Sequence, residues 1–107
     1  MALAEDVYRI TRAYPSDERF GLTSQTRRAA ASIPANIAEG HGRGTRKSYA
    51  SFLRVVRGSL RELETHLLLA QRVSIVDAIT IEPLMQGCDE IGRMLHAMIG
   101  KLGGRDQ

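Results

Sequence analysis

The chain has 107 residues, a formal net charge of +3 and one cysteine. A single cysteine excludes an internal disulfide framework and fits a reducing compartment, and no apolar run is long enough to cross a membrane. The first residues carry Glu5 and Asp6 where a secretory signal needs an apolar stretch, so we expect a cytoplasmic protein. A chain of this length is expected to fold as one domain, over residues 1–107.

Two amphipathic helices are predicted in the first half of the chain. Helix 1 covers about residues 2–14 and stops at Pro15, which cannot continue a helix. Helix 1 is short compared with the neighbouring predicted helices. Helix 2 covers about residues 23–39, with Thr23 as a candidate N-cap and Gly40 as the residue that ends it.

Two longer helices follow, over about residues 45–72 and 78–102, and Thr45 is a candidate N-cap for the first of them. Both carry apolar residues at alternating spacings of four and three, which is typical of helices packed in a bundle. In helix 3 these are Tyr49, Leu53, Val56, Leu60, Leu63, Leu67 and Ala70; in helix 4 they are Leu84, Cys88, Ile91, Leu95, Met98 and Leu102. Short connections between four such helices predict an all-α fold, an antiparallel up-down-up-down four-helix bundle.

Helix 2 is unusually rich in small residues. Ala29, Ala30 and Ala38 are expected at close contacts with other helices, while Ile33 and Ile37 are expected in the core. The helix also carries a carboxylate near its negative C-terminal end, where the helix dipole disfavours it. This residue, Glu39, should therefore have a basic partner, and the nearest candidates are Arg43 and Arg28.

The segment FGLTSQTRRAAASIPANIAEGHGRG, followed by Tyr49, Phe52, Leu53 and GSLRELE, resembles the bacterial 23S rRNA intervening-sequence protein family. The accessory variability protein of diversity-generating retroelements is a more distant relative. The resemblance covers nearly the whole chain, and its strongest part is NIAEGHGR. It implies a four-helix bundle that assembles as a homopentamer with a basic surface, and a role with nucleic acid. Family members usually carry another turn or two before the residue that matches Ala2.

The basic residues are unevenly distributed. Residues 1–61 hold 11 basic and 5 acidic groups, and residues 62–107 hold 4 basic and 7 acidic groups. Six basic residues and no acid lie within Gly40–Arg61, and backbone phosphates need such successive positive charges. The candidate nucleic-acid-binding residues are Arg43, Arg46, Lys47, Arg54, Arg57 and Arg61. The alternative is that these cations form salt bridges, between helices or between subunits, to Glu62, Glu64 or the acidic second half.

Helix 3 is apolar on more than one face, which indicates burial on more than one face and hence self-association. The expected oligomer interface contains Phe52, Val55, Gly58 and Leu69.

Other site classes find no support in the sequence. No Glu has a His three residues later, as di-iron bundles require, and no nucleophile or carboxylate pair is marked out. The glycine-rich corner Gly40–Gly44 follows a helix and lacks the ending of a phosphate-binding loop, so a helix–helix turn is favoured. We therefore expect no metal, no cofactor and no enzymatic activity. The sequence predicts a homo-oligomer that binds RNA or DNA, alone or with another nucleic-acid-handling protein; the alternative is a structural or protein–protein interaction scaffold.

Overall fold

The computed structural model describes residues 1–103, and this part of the chain is helical without strands. The helices are α1 (Ala2–Thr11), α2 (Leu22–Gly42), α3 (Arg46–Arg72) and α4 (Ala78–Gly103), with a short 3-10 turn at Ser16–Glu18. The predicted all-α four-helix fold is confirmed. Residues 104–107, at the end of the chain, lie outside the described residues.

Consecutive helices pack against each other, and α1 also contacts α4, so the four helices form a closed up-down-up-down arrangement. The molecule measures 44 × 22 × 21 Å. With 27 residues, α3 is about 40 Å long and runs through almost the whole length of the bundle. The 10 residues of α1 cover a much smaller part of it.

The core follows the predicted apolar spacing of α3. Leu53, Val56, Leu63 and Leu67 are fully buried, and α4 supplies Cys88 to the same cluster. Ile91, Met98 and Leu102 are partly buried at the edge of this core, whereas Ile81 and Ile99, which the spacing did not include, are buried. The buried apolar side chains form one cluster, and its burial is the main favourable contribution to folding.

The end of α1 differs from the prediction. The α-helix stops at Thr11 rather than at position 14, and Arg12, Ala13 and Tyr14 continue as turns closed by hydrogen bonds between residues three apart. The reason is Pro15, because a proline disfavours helical conformation at the residue before it, and tighter turns are common where a helix ends.

The start of α2 also differs. Thr23 is not the N-cap: it lies inside the helix, and its buried hydroxyl has no hydrogen-bond partner. The first helical N–H, that of Leu22, instead donates to the carboxylate of Glu18 at 3.1 Å. An acid from the preceding 3-10 turn thus satisfies one of the unpaired N–H groups at the positive end of the helix.

Gly40 does not end α2, because the helix continues to Gly42. Gly40 is buried, and a Cβ at this position would lie 2.6 Å from Cβ of Phe52 on α3. The glycine is therefore needed for the close approach of two helices rather than for a left-handed cap. The chain reverses further on, at Gly44, whose φ of +80° favours glycine.

The small residues of α2 are divided between the core and the surface. Ala29, Ala30 and Ile33 are buried, as expected, and Ile37 packs partly against the core. Ala38 is exposed, so its predicted close contact is wrong. Two positions along a helix point to nearly opposite sides, and Gly40, two positions after Ala38, is the residue that contacts α3.

Candidate nucleic-acid-binding surface

The corner between α2 and α3 holds the first of the six predicted cations. Arg43 contacts Glu39 at 3.2 Å, so the basic partner expected for Glu39 is confirmed. The same guanidinium lies 5.6 Å from the centre of the Phe52 ring, a distance typical of a cation–π contact. Since both groups are exposed, the ion pair contributes little to stability. Arg43 is nonetheless already engaged within its own chain.

The second cation has a structural partner. Arg46, at the start of α3, donates a hydrogen bond of 3.0 Å to the backbone carbonyl of Lys101 near the end of α4. Helix C-terminal carbonyls lack partners within their own helix and carry partial negative charge. Arg46 therefore caps α4. The predicted N-cap of α3 is confirmed, because Thr45 accepts a hydrogen bond from the N–H of Ser48 at 3.1 Å.

The other four predicted cations, Lys47, Arg54, Arg57 and Arg61, follow α3 along one flank. None of them has a carboxylate within 4.0 Å among residues 1–103. Lys47 and Arg61 are exposed, and Arg54 and Arg57 are partly buried. Within one subunit, the described residues contain no salt bridge from these four cations to Glu62, which lies 3.5 Å from His66.

A groove between α3 and α4 adds residues that the sequence analysis missed. It has a volume of about 350 Å³, and α4 contributes Arg93 and His96 opposite Arg57 and Arg61 of α3. Glu64 and Asp89 line the same groove, with Leu60, Cys88 and Gly92. Nothing in the spacing along α4 marks Arg93 or His96 as partners of the α3 arginines. Their proximity arises only when the two helices pack.

The cysteine that lines this groove is not suited to act as a nucleophile or as a metal ligand. Cys88 is fully buried, and burial, followed by the nearby negative charge of Glu64, raises the pKa of its thiol from 9.0 to about 12. The thiol therefore stays protonated at neutral pH, whereas a nucleophilic or metal-binding cysteine must be a thiolate. Cys88 serves as a small apolar core residue. Among residues 1–103, no group of three or more His, Cys, Asp or Glu side chains is placed to hold a metal ion.

The residues expected at an oligomer interface differ in how much of their surface is exposed. Val55 and Leu69 keep 51% and 47% of their surface exposed, and Gly58 is exposed as well. Phe52 is partly buried, because its ring fills the space beside Gly40 within the same subunit. An exposed apolar face on α3 therefore consists of Val55, Gly58 and Leu69, and Phe52 belongs mainly to the α2–α3 contact.

The fold and this surface define a class of small all-helical bundle proteins with a row of arginines on the central helix. None of the helices described here is both long and apolar enough to cross a membrane. The chain belongs to the 23S rRNA-intervening sequence protein family, whose model matches residues 1–97. A comparison with curated proteins found no match.

Proposed function

We propose that this protein is a non-enzymatic homo-oligomer, with five subunits as the family resemblance implies, that binds RNA or DNA through the cations of α3. The observation that carries the proposal is that Lys47, Arg54, Arg57 and Arg61 have no carboxylate partner among the described residues. Fixed, unneutralised arginines attract phosphates and offer them two parallel hydrogen bonds. We call these four residues the α3 cationic flank.

The dimensions of the α3 cationic flank suit a polymer. Lys47 and Arg61 are 14 positions apart, which corresponds to about 21 Å along the helix axis. Successive positive charges over that distance match a chain of phosphates better than a single small anion. Contacts of this kind are to the backbone, so binding should depend weakly on base sequence and strongly on salt.

The test is the affinity of the purified protein for a generic RNA oligonucleotide over a series of salt concentrations. If the four residues of the α3 cationic flank each meet one phosphate of a single strand, the slope of log affinity against log salt should be about −3 per protomer. Replacing Arg54, Arg57 and Arg61 together by Gln should bring this slope close to −1, because one contact remains.

The matched control is a second variant in which three arginines outside the α3 cationic flank are replaced. Arg12, Arg19 and Arg28 are exposed, lie outside the flank and form no ion pair with the described residues. Their joint replacement by Gln should leave the slope nearly unchanged. Equal losses for both triple variants would mean that only net charge matters. If the wild-type protein shows no salt-dependent binding at all, the proposal fails.

The exposed apolar face of α3 supports a second candidate, a scaffold that binds other proteins without contacting nucleic acid. Val55 and Leu69 remain about half exposed in the subunit. Large apolar groups in such positions are typical of contact surfaces. Retention on heparin and a salt-sensitive mobility shift with RNA distinguish the two candidates, because a pure scaffold should show neither.

A further inference from the structure

The groove between α3 and α4 contains charges of both signs, which binding to phosphates alone does not explain. Arg57 and Arg61 line it together with Glu64, and Arg93 lines it together with Asp89. A carboxylate inside a surface that attracts only phosphates would repel them and weaken binding. The acidic residues of this groove therefore need a separate explanation.

The five Arg, Asp and Glu residues that line the groove fall into two groups. Asp89 and Arg93 form an ion pair with each other and so neutralise their own charges. Arg57, Arg61 and Glu64 have no ion-pair partner among residues 1–103, although all three line one groove. The groove thus offers two free guanidinium groups and one free carboxylate. The Glu64 side chain is partly buried.

These groups are complementary to a ligand that carries an anion and a hydrogen-bond donor a short distance apart. Guanidinium groups bind phosphate oxygens, and a carboxylate accepts a hydrogen bond from a hydroxyl or amino group. A ribonucleotide presents both, because its 2′-hydroxyl is a donor close to the phosphate. That hydroxyl is also the group by which proteins tell RNA from DNA. The volume of about 350 Å³ is within the range of small-ligand sites.

We propose that the α3–α4 groove holds one ribonucleotide of a bound RNA, with Arg57 and Arg61 at the two phosphates that flank it and Glu64 accepting a hydrogen bond from its 2′-hydroxyl. The inference rests on the proposed function and narrows it to RNA. Arg54 and Lys47 continue the positive charge along α3 beyond the groove. A single bound nucleotide does not account for these two cations, but they can contact the next phosphates of a strand.

The experiment compares RNA and DNA oligonucleotides of the same length and sequence, with uracil in both, by fluorescence anisotropy at one salt concentration. A hydrogen bond to a charged group corresponds to a preference of roughly tenfold or more for RNA. Glu64→Ala should bring the ratio of the two affinities close to one. Glu64→Gln, whose amide oxygen also accepts a hydrogen bond, should keep part of the preference.

The ratio of the RNA affinity to the DNA affinity distinguishes loss of the hydrogen bond from loss of charge repulsion. Removing a negative charge raises the affinity for RNA and for DNA alike and leaves their ratio unchanged, whereas removing the hydrogen bond to the 2′-hydroxyl lowers the ratio. Glu62→Ala is the matched control, since Glu62 is a neighbouring exposed acid that faces His66 and does not line the groove. It should retain the full preference for RNA. Helicity measured by circular dichroism confirms that each variant is folded.

The outcomes distinguish this inference from the function on which it rests. Salt-dependent binding with equal affinity for RNA and DNA overturns the inference and leaves the proposed function in place. A preference for RNA that survives Glu64→Ala overturns the role of Glu64. Competition by free adenosine monophosphate at the affinity of the oligonucleotide would make the groove a mononucleotide site and overturn the assignment to RNA. Binding of neither polymer overturns the proposed function itself.

Discussion

Gly40 of α2 lies directly against Phe52 of α3, so closely that a Cβ on residue 40 would be 2.6 Å from Cβ of Phe52. We expect Gly40→Ala to destabilise the protein by about 1–3 kcal/mol, because the two helices cannot approach without overlap. Gly42→Ala is the control: its Cβ would meet nothing within 4 Å, and it should be neutral or stabilising by up to about 1 kcal/mol.

Urea denaturation at one fixed protein concentration measures both variants, since the stability of an oligomer depends on concentration. The double variant Gly40→Ala with Phe52→Gly completes the test. It should be less destabilised than the sum of its single changes, because glycine at position 52 lacks the Cβ that the new methyl group would meet. Additive effects would show that the two residues do not clash.

Ala30 is fully buried on α2, and its neighbour Ala31 is exposed. Ala30→Leu should overpack the core and lower the free energy of unfolding by about 1–3 kcal/mol. Ala31→Leu adds the same atoms to the solvent side and should change it by less than about 0.5 kcal/mol. A similar effect for both variants would contradict the orientation of α2 in the bundle.

The buried Cys88 thiol makes stability depend on pH in the alkaline range. Its pKa is about 12 in the folded protein, against an ordinary value of 9.0. Between these values the unfolded chain loses the thiol proton and the native protein keeps it, so unfolding releases a proton. The free energy of unfolding should therefore fall as pH rises from about 9 toward 12, by up to about 1.4 kcal/mol per pH unit from this group.

Cys88→Ala isolates the contribution of the thiol. Burial also raises the pKa of Tyr14, which acts in the same direction above pH 10, but this residue is present in both proteins. The stability of Cys88→Ala should decline less steeply with pH than that of the wild type. Identical slopes would contradict the raised pKa. Native protein should also react with iodoacetamide much more slowly than protein unfolded in urea.

The exposed apolar face of α3 leads to a prediction on assembly. Light scattering after size exclusion should give about five times the chain mass of 11.8 kDa, a number that follows from the family resemblance. Val55→Asp or Leu69→Asp should lower this mass without loss of helicity, because a charge buried at an interface loses its water. Ile79→Asp, at a residue that is 85% exposed at the start of α4, is the control. A wild-type monomer at micromolar concentration would contradict the prediction.

The local pattern of the sequence determined the helices and the residues that pack between them. The spacing of Leu53, Val56, Leu60 and Leu63 predicted both the helical period and the buried face, because one helix turn relates residues three and four apart. Thr45 was predicted as an N-cap for a similarly local reason, since its partner is only three residues away. The family resemblance covered nearly the whole chain and was strongest in the segment from Asn36 to Arg43.

Only the tertiary structure decided which distant residues meet. Arg46 contacts Lys101 across 55 positions, and Arg93 reaches the groove of Arg57 and Arg61 from another helix. Gly40 was predicted to cap a helix but packs against Phe52. Such contacts depend on how two helices are rotated about their axes, and the apolar spacing of each helix defines only which side faces the core. The position of every polar residue beside that core is therefore set by the packing of the neighbouring helix.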